Sequence, residues 1–379
     1  MRLVPKLVSA GAAAALAVSL LAVAGPASAA PADPVEVTPS ALPVGATPAV
    51  SWYDAARQKV VRPGQRSVTV PVRTAGRPGG STWLLNAHGG WLRHTYVDGT
   101  SFAGTNGKAR RLGPKSSFEV QMVARDGRTF VDLAVRYNKS DVRKWSTAVR
   151  VRRTCDGKVL RSRTFKQSVV QVRAVTSSTV ALNIDYPRGG NTVWATEFWD
   201  QRTGRLRVFR QHQEPGPPPS PGFYRAPAAS LSHHLIVAQG ESAVRDTRTG
   251  RALWSTGAGE GVFSFSPDGT RAVTFADYFD GYEDGASPRL MRIRDARTGA
   301  VLATYHGLFT KEIVESPNQG PIWESGSKLL VVAYEGLTQD DEGYSHPSEP
   351  SWVRCTAAGS CAQVPIDPSA DYVTLPRSS

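Results

Sequence analysis

The feature that most constrains this chain is a recurring turn of the form Asp-x-x-Thr-Gly. It occurs at Asp200 to Gly204, Asp246 to Gly250 and Asp295 to Gly299, with the glycines 46 and 49 residues apart. Looser copies stand at Asn106-Gly107-Lys108 and Asp156-Gly157-Lys158, Gly359 continues the series, and Gln58-Lys59 after Asp54 reads as a worn first copy. A strand that reverses within a few residues needs one residue at positive φ, which glycine adopts without a Cβ clash. It also gains from an Asp side chain that accepts from the backbone N–H groups ahead of it. Each copy therefore predicts a hairpin.

A second mark falls between these turns. Phe265-Ser266-Pro267-Asp268-Gly269 precedes the alternating run Arg271–Phe275, Arg125-Asp126-Gly127 precedes Thr129–Leu133, and Glu324-Ser325-Gly326 precedes Lys328–Val332. Ser177-Ser178 and His233-His234 are less regular counterparts. Each unit then holds four short strands: A before this mark, B after it, C before the Thr-Gly turn and D after that. Four strands in about 45 to 50 residues is the periodicity of propeller blades. One such sheet cannot cover its own faces, and radial packing against its neighbours does so.

The expected fold is all-β, a single β-propeller of four-stranded blades. Seven hairpin marks give seven blades, and six or eight also fit the weaker copies. The series opens with what reads as a C–D hairpin near Asp54 and ends with a D strand near Ala362, so Asp371–Leu375 is expected to join the first blade and close the ring. The Pro-rich stretch 211–223, with Pro217-Pro218-Pro219, is read as a long stiff D–A connection because the repeats continue on both sides. A pair of β-sandwiches would instead use it as a linker.

Phe265–Gly269 together with Asp295–Gly299 resembles the blade motif shared by TolB-like and WD-repeat propellers, with the best match between Gly250 and Gly299. The resemblance implies a fold and leaves activity open, since such propellers include interaction scaffolds and enzymes. The chain lacks the regular Gly-His and Trp-Asp pairs of WD repeats, so their His-Asp network is not carried over.

Arg2 and Lys6, the apolar run Leu7–Gly25 and Ala27-Ser28-Ala29 have the order of a secretory signal peptide, residues 1–29. A retained anchor is the alternative reading. The remaining 30–379 has no further apolar segment of spanning length and is expected to be secreted or otherwise extracytoplasmic. In that oxidising setting Cys355 and Cys361, either side of a tight turn, are expected to form a disulfide, which leaves Cys155 over.

The formal charge is +13, and basic residues dominate from Arg57 to Arg173 whereas acids predominate from Glu312 onward. A polyanion could bind the basic first three repeats. Coding bias toward Arg explains the same excess.

Chemistry is expected where the B–C and D–A connections emerge at the channel mouth. Two long B–C loops are acidic and aromatic: Asp277, Asp280, Tyr282, Glu283 and Asp284 in one, and Glu335, Asp340, Asp341 and Glu342 in the next. They are candidate ligand-binding residues. Their carboxylates could hold a hard cation such as Ca²⁺, although the spacing matches no defined calcium loop, and solvated loops are the plainer reading. His88 and His94, flanking Gly89-Gly90-Trp91, read as another B–C turn at that mouth, while His233 and His234 fall on the opposite face. No Gly-x-Ser-x-Gly, His-Glu-x-x-His or Cys-x-x-Cys occurs. The functional expectation is a binding scaffold for an extracellular protein or cell-wall polymer, with no catalytic residue and no cofactor assigned. The alternative is a propeller hydrolase or lyase acting on a glycan or lactone through those carboxylates.

Overall fold

The computed structural model describes residues 33–54, 57–70, 82–95, 99–112, 119–138, 141–215, 228–239, 241–257, 259–276, 289–308, 321–339, 345–347 and 350–366. All of these belong to one compact unit, Pro31–Ser379. The expected signal segment lies outside the described residues.

The chain is all-β, a seven-bladed propeller. Among the described residues the only helices are two three-residue 3-10 turns, Pro39–Ala41 and Leu231–His233. None is long and apolar enough to cross a membrane. Blade 2 comprises Thr82–Ala87, Gly90–Thr95, Gly99–Gly104 and Ala109–Arg111, and blade 3 comprises Glu119–Val123, Thr129–Asn138, Asp141–Arg153 and Val159–Lys166. Blade 4 comprises Val169–Val175, Thr179–Arg188, Asn191–Asp200 and Leu206–Pro215, and blade 5 the short strands Ala229–Ser230, Leu235–Val237, Ala243–Asp246 and Ala252–Ser255. Blade 6 comprises Gly261–Phe265, Arg271–Phe275, Arg289–Asp295 and Val301–Leu308. Blade 7 comprises Ile322–Trp323, Lys328–Tyr334, Pro350–Thr356 and Cys361–Gln363, with a small hairpin, Leu337–Gln339 and Ser345–Pro347, inside its B–C connection.

The Thr-Gly turns fold as hairpins for the expected reason. Gly204, Gly250 and Gly299 have φ of 73°, 72° and 76°. The Asp that opens each turn accepts from backbone ahead of it, as at Thr203 N (2.7 Å) and Thr298 N (2.9 Å). The A–B glycines meet a second demand. A Cβ on Gly269 would stand 2.2 Å from His233 Cγ of blade 5, and one on Gly326 would stand 1.9 Å from Asp268 of blade 6. The A–B turns pack against one another around the inner ring, so both positions need an absent side chain, and Gly269 (φ 69°) needs a permissive φ as well.

The core lies between blades. Val131, Val149 and Val151 of blade 3 face Val172, Leu182 and Trp199 of blade 4. Val273, Ile293 and Tyr305 of blade 6 face Leu329, Val331 and Val353 of blade 7. The ring closes between blades 7 and 1, where Ile322, Leu330, Trp352 and Ile366 pack with Val50 and Trp52.

Blade 1 is described as three strands in the order Trp52–Asp54, Lys59–Val61, Val68–Thr69. The chain reaches it from the A–B face: Ala49 N donates to Glu324, in the A–B turn of blade 7 (2.8 Å). Trp52–Asp54 therefore runs in the direction of a B strand. The C–D glycine of blade 2, Gly107, packs on Thr69, as Gly299 packs on Trp254 in the D strand of blade 5. The hairpin near Asp54 is thus B–C, one strand earlier than the sequence suggested, and the innermost position is filled by no described residue. Asp371–Leu375 lies outside the described residues.

An N-terminal strap precedes blade 1. Val35–Glu36 pairs in parallel with Tyr305 and His306 as a fifth strand on blade 6, and Val44 bridges Gln363 of blade 7. Gln363 Nε2 donates to Pro39 O (2.6 Å), and Arg354 donates to Ala46 O and Thr47 O (3.0 and 3.1 Å). Val37 and Leu42 join the core between blades 6 and 7. The disulfide Cys355–Cys361 forms across the blade 7 C–D hairpin, with Cα atoms 4.3 Å apart, and Cys155 is free and exposed.

Candidate binding face

Strand order sorts the connections onto two faces. In blades 2 to 7 every A–B and C–D turn spans five residues or fewer. The connections of twelve residues or more, 70–81, 216–228, 276–288, 309–321 and 335–349, are all B–C or D–A. All variation in length is therefore gathered on one face, above a ring that holds the strand ends rigidly.

Two of these connections carry the acidic and aromatic residues. The first joins Arg271–Phe275 to Arg289–Asp295 in blade 6, and the second joins Lys328–Tyr334 to Pro350–Thr356 in blade 7, so both are B–C connections of successive blades. Asp277, Asp280, Tyr282, Glu283, Asp284, Asp340, Asp341 and Glu342 lie outside the described residues. Glu335, at the stem of the second, accepts from Ser40 N of the N-terminal strap (2.5 Å). Among the described residues no group of three His, Cys, Asp or Glu side chains is placed to hold a metal ion.

The histidine reading is corrected. His88 and Gly89 form the A–B turn of blade 2, on the opposite face from the long connections, and the A–B glycine of blade 3, Gly127, packs against His88 N. His94 is buried on the B strand, 2.9 Å from Thr100 Oγ1, and burial pushes its pKa down to about 4. A neutral, enclosed imidazole of this kind serves packing. His233 and His234 do sit on the opposite face, in the A–B turn of blade 5, where His233 Nδ1 is 3.0 Å from Ser230 Oγ.

Beneath the long-connection face the structure assembles a polar cluster that sequence patterning did not reveal. Arg173 occupies a bulge in the innermost strand of blade 4, where the ladder register shifts between Val172 and Ala174. The bulge turns its side chain toward the B strand. Asn183 and Asp185 stand on that strand, and Gln239, just past the B strand of blade 5, donates from Nε2 to Asp185 Oδ1 (2.9 Å) and from its backbone N to Thr196 Oγ1 (2.9 Å). All five side chains are buried. Burial pushes the Asp185 carboxyl up to about 7, with the Arg173 charge opposing it. The cluster ties blade 4 to blade 5 and holds an exchangeable proton near neutral pH.

A second device recurs around the ring. Arg152, Arg245 and Arg294, each five residues before a C–D glycine, donate from Nη1 to Gly157 O, Gly250 O and Gly299 O (2.9, 3.0 and 2.8 Å). Each also pairs with a carboxylate: Asp132, Glu241 and Glu260 respectively. Hydrogen bonds from Thr274 and the charges of Arg294 and Arg292 outweigh burial and hold Glu260 low. The written signal was an Arg directly before the turn Asp, as in Arg245-Asp246 and Arg294-Asp295.

No protein-family model matches the sequence, and no curated protein matches it. Among solved structures it is similar to a eukaryotic initiation factor (9% identity, TM-score 0.40, covering 83% of this chain and 95% of that one). An uncharacterized protein from Listeria monocytogenes EGD-e is similar at 12% identity (TM-score 0.44, covering 76% of this chain and 83% of that one). A rhamnogalacturonan lyase is similar at 12% identity (TM-score 0.31, covering 80% of this chain and 64% of that one).

Proposed function

We propose that the protein is a secreted, non-enzymatic propeller that binds an extracellular protein or cell-wall polymer through the face bearing its long connections, in the manner of TolB-like scaffolds. One observation carries this reading: every long connection in blades 2 to 7 is B–C or D–A, while the opposite face is reduced to turns of minimal length. Loops freed from structural duty on a rigid support are where recognition residues accumulate. The acids and tyrosines of 277–284 and 340–344 supply the chemistry, carboxylates for cationic or hydroxyl groups and rings for stacking. The leader, with cleavage after Ala29, delivers the chain outside the cell, where the disulfide is stable.

The test replaces Asp280, Asp284, Asp340 and Asp341 by Ala and compares capture of partners from culture supernatant with that of the native protein. Loss of capture at unchanged Tm supports the reading, and undiminished capture removes this face. Turnover of a glycan or lactone panel by the native protein, abolished in the same variant, would replace the scaffold with the enzyme alternative.

A further inference from the structure

The outermost strands of the blades differ sharply in charge. Those of blades 5, 6 and 7, Ala252–Ser255, Val301–Leu308 and Cys361–Gln363, contain no Lys, Arg, Asp or Glu. That of blade 2 contributes Arg110 and Arg111, that of blade 3 Arg161, Arg163 and Lys166, and that of blade 4 Arg207 and Arg210, against the single acid Glu214. Lys108, Lys158, Arg202 and Arg205, exposed in the adjoining C–D turns, extend each basic strand along the same edge of the disc. Of the nearby acids, Asp156 pairs with Arg153 and Asp200 accepts from the backbone of its own turn, whereas Glu241 of blade 5 pairs with Arg210 (3.0 Å). Arg161 and Arg163 donate to Gln201 O and Gly204 O of blade 4, so the exposed cations of the belt centre on Arg110, Arg111, Lys158, Lys166 and Arg205.

Three neighbouring blades thus present one continuous basic belt on the outer rim, away from the face proposed above. Edge protection accounts for a Lys or Arg on an isolated outer strand. The strap covers the outer edges of blades 6 and 7, which therefore need no charge, but edge protection does not account for two or more cations on each outer strand of three adjacent blades.

We infer that this belt binds a linear polyanion by its backbone, a polymer of repeated phosphate groups that carries no bases. The absence of bases follows from the aromatic residues on these strands. Phe165 lies under Arg163, Phe209 packs on Phe198, and His212 stacks on Trp194. All three are half-buried, so the exposed belt offers cations and no stacking platform of the kind single-stranded nucleic acid uses. Arginine donors in a row match repeated phosphates, and counterion release makes such binding steeply salt-dependent.

The experiment measures binding of the full-length mature protein to long-chain inorganic polyphosphate across a salt series. Two quintuple variants of equal charge are compared: Arg110→Ser, Arg111→Ser, Lys158→Ser, Lys166→Ser and Arg205→Ser in the belt, and Arg57→Ser, Arg66→Ser, Arg188→Ser, Arg251→Ser and Lys328→Ser outside it. The belt variant is expected to lose at least about tenfold in affinity, with a shallower dependence of log K on log salt, while the other loses about threefold or less. Equal losses in the two variants, each folded by Tm, would overturn the inference in favour of net charge alone. Single-stranded DNA binding tenfold more tightly than polyphosphate would overturn it in favour of base recognition.

Discussion

Gly269 and Gly204 both sit at positive φ, 69° and 73°, yet their surroundings differ. A Cβ at Gly204 meets nothing within 4 Å, whereas one at Gly269 would collide with the His233 ring of the preceding blade. Gly204→Ala should therefore cost about 1 kcal/mol from backbone strain alone, and Gly269→Ala about 3 kcal/mol or more because blades 5 and 6 must move apart. Chemical denaturation of the two variants checks the difference. Asp185 gives a second prediction. Its carboxyl is raised to about 7 in the fold, so it favours folding when protonated. That contribution is complete below about pH 4 and is lost as pH rises through about 7, at most about 4 kcal/mol. Asp185→Asn should flatten the stability profile across this window, read from Tm against pH, while leaving the acid limit nearly unchanged. Glu260 belongs to the opposite class. Glu260→Ala leaves Arg292 and Arg294 without their carboxylate and should cost about 3–5 kcal/mol, more than its surface counterpart Glu214→Ala, which should be near zero.

At the level of elements, the hairpins were legible because a glycine at positive φ and an Asp cap leave a local trace in the sequence. Blade 1 was misread by one strand because strands of two or three residues, Trp52–Asp54, Lys59–Val61 and Val68–Thr69, carry too little alternation to show which mark lies between them. Gly89-Gly90 was assigned to the wrong face because a two-residue turn between six-residue strands, Thr82–Ala87 and Gly90–Thr95, reads the same in sequence whichever pair of strands it joins. A Cβ on Gly90 would stand 2.1 Å from Ala103 O in the neighbouring strand, a constraint no local pattern announces. Arg173 and Asp185 meet through a bulge, and Gln239 reaches them from another blade, so neither spacing nor periodicity could have joined them. The strap was equally hidden, since parallel addition to a finished sheet needs no turn. It is nonetheless a working part of the fold. Removal of residues 30–45 should lower stability by about 2–4 kcal/mol through loss of the buried Val37 and its neighbours. It should also speed hydrogen exchange at the Gln363 amide, which donates to Pro43 O (2.9 Å).

On the scale of the whole molecule, the ring distributes stability and chemistry differently. Each blade buries its faces against two neighbours, so cutting the chain between blades leaves both contacts of each blade intact, whereas two sandwiches joined at 211–223 would share nothing across the cut. Blades 4 and 5 hold each other through Ala174, Ala181, Phe198, Ala229 and Ile236, and blades 7 and 1 through Trp352, Ile366 and Trp52. The gathering of long connections on one face depends on that same closure, because strand direction alternates consistently only if each sheet is a blade of one ring. The decisive measurement is gel filtration of a chain in which a specific protease site replaces Pro217-Pro218-Pro219, run before and after cleavage. A closed ring predicts that the cut chain elutes as one particle of unchanged size and that its two fragments part only on denaturation. Two folded halves eluting separately under native conditions would contradict it.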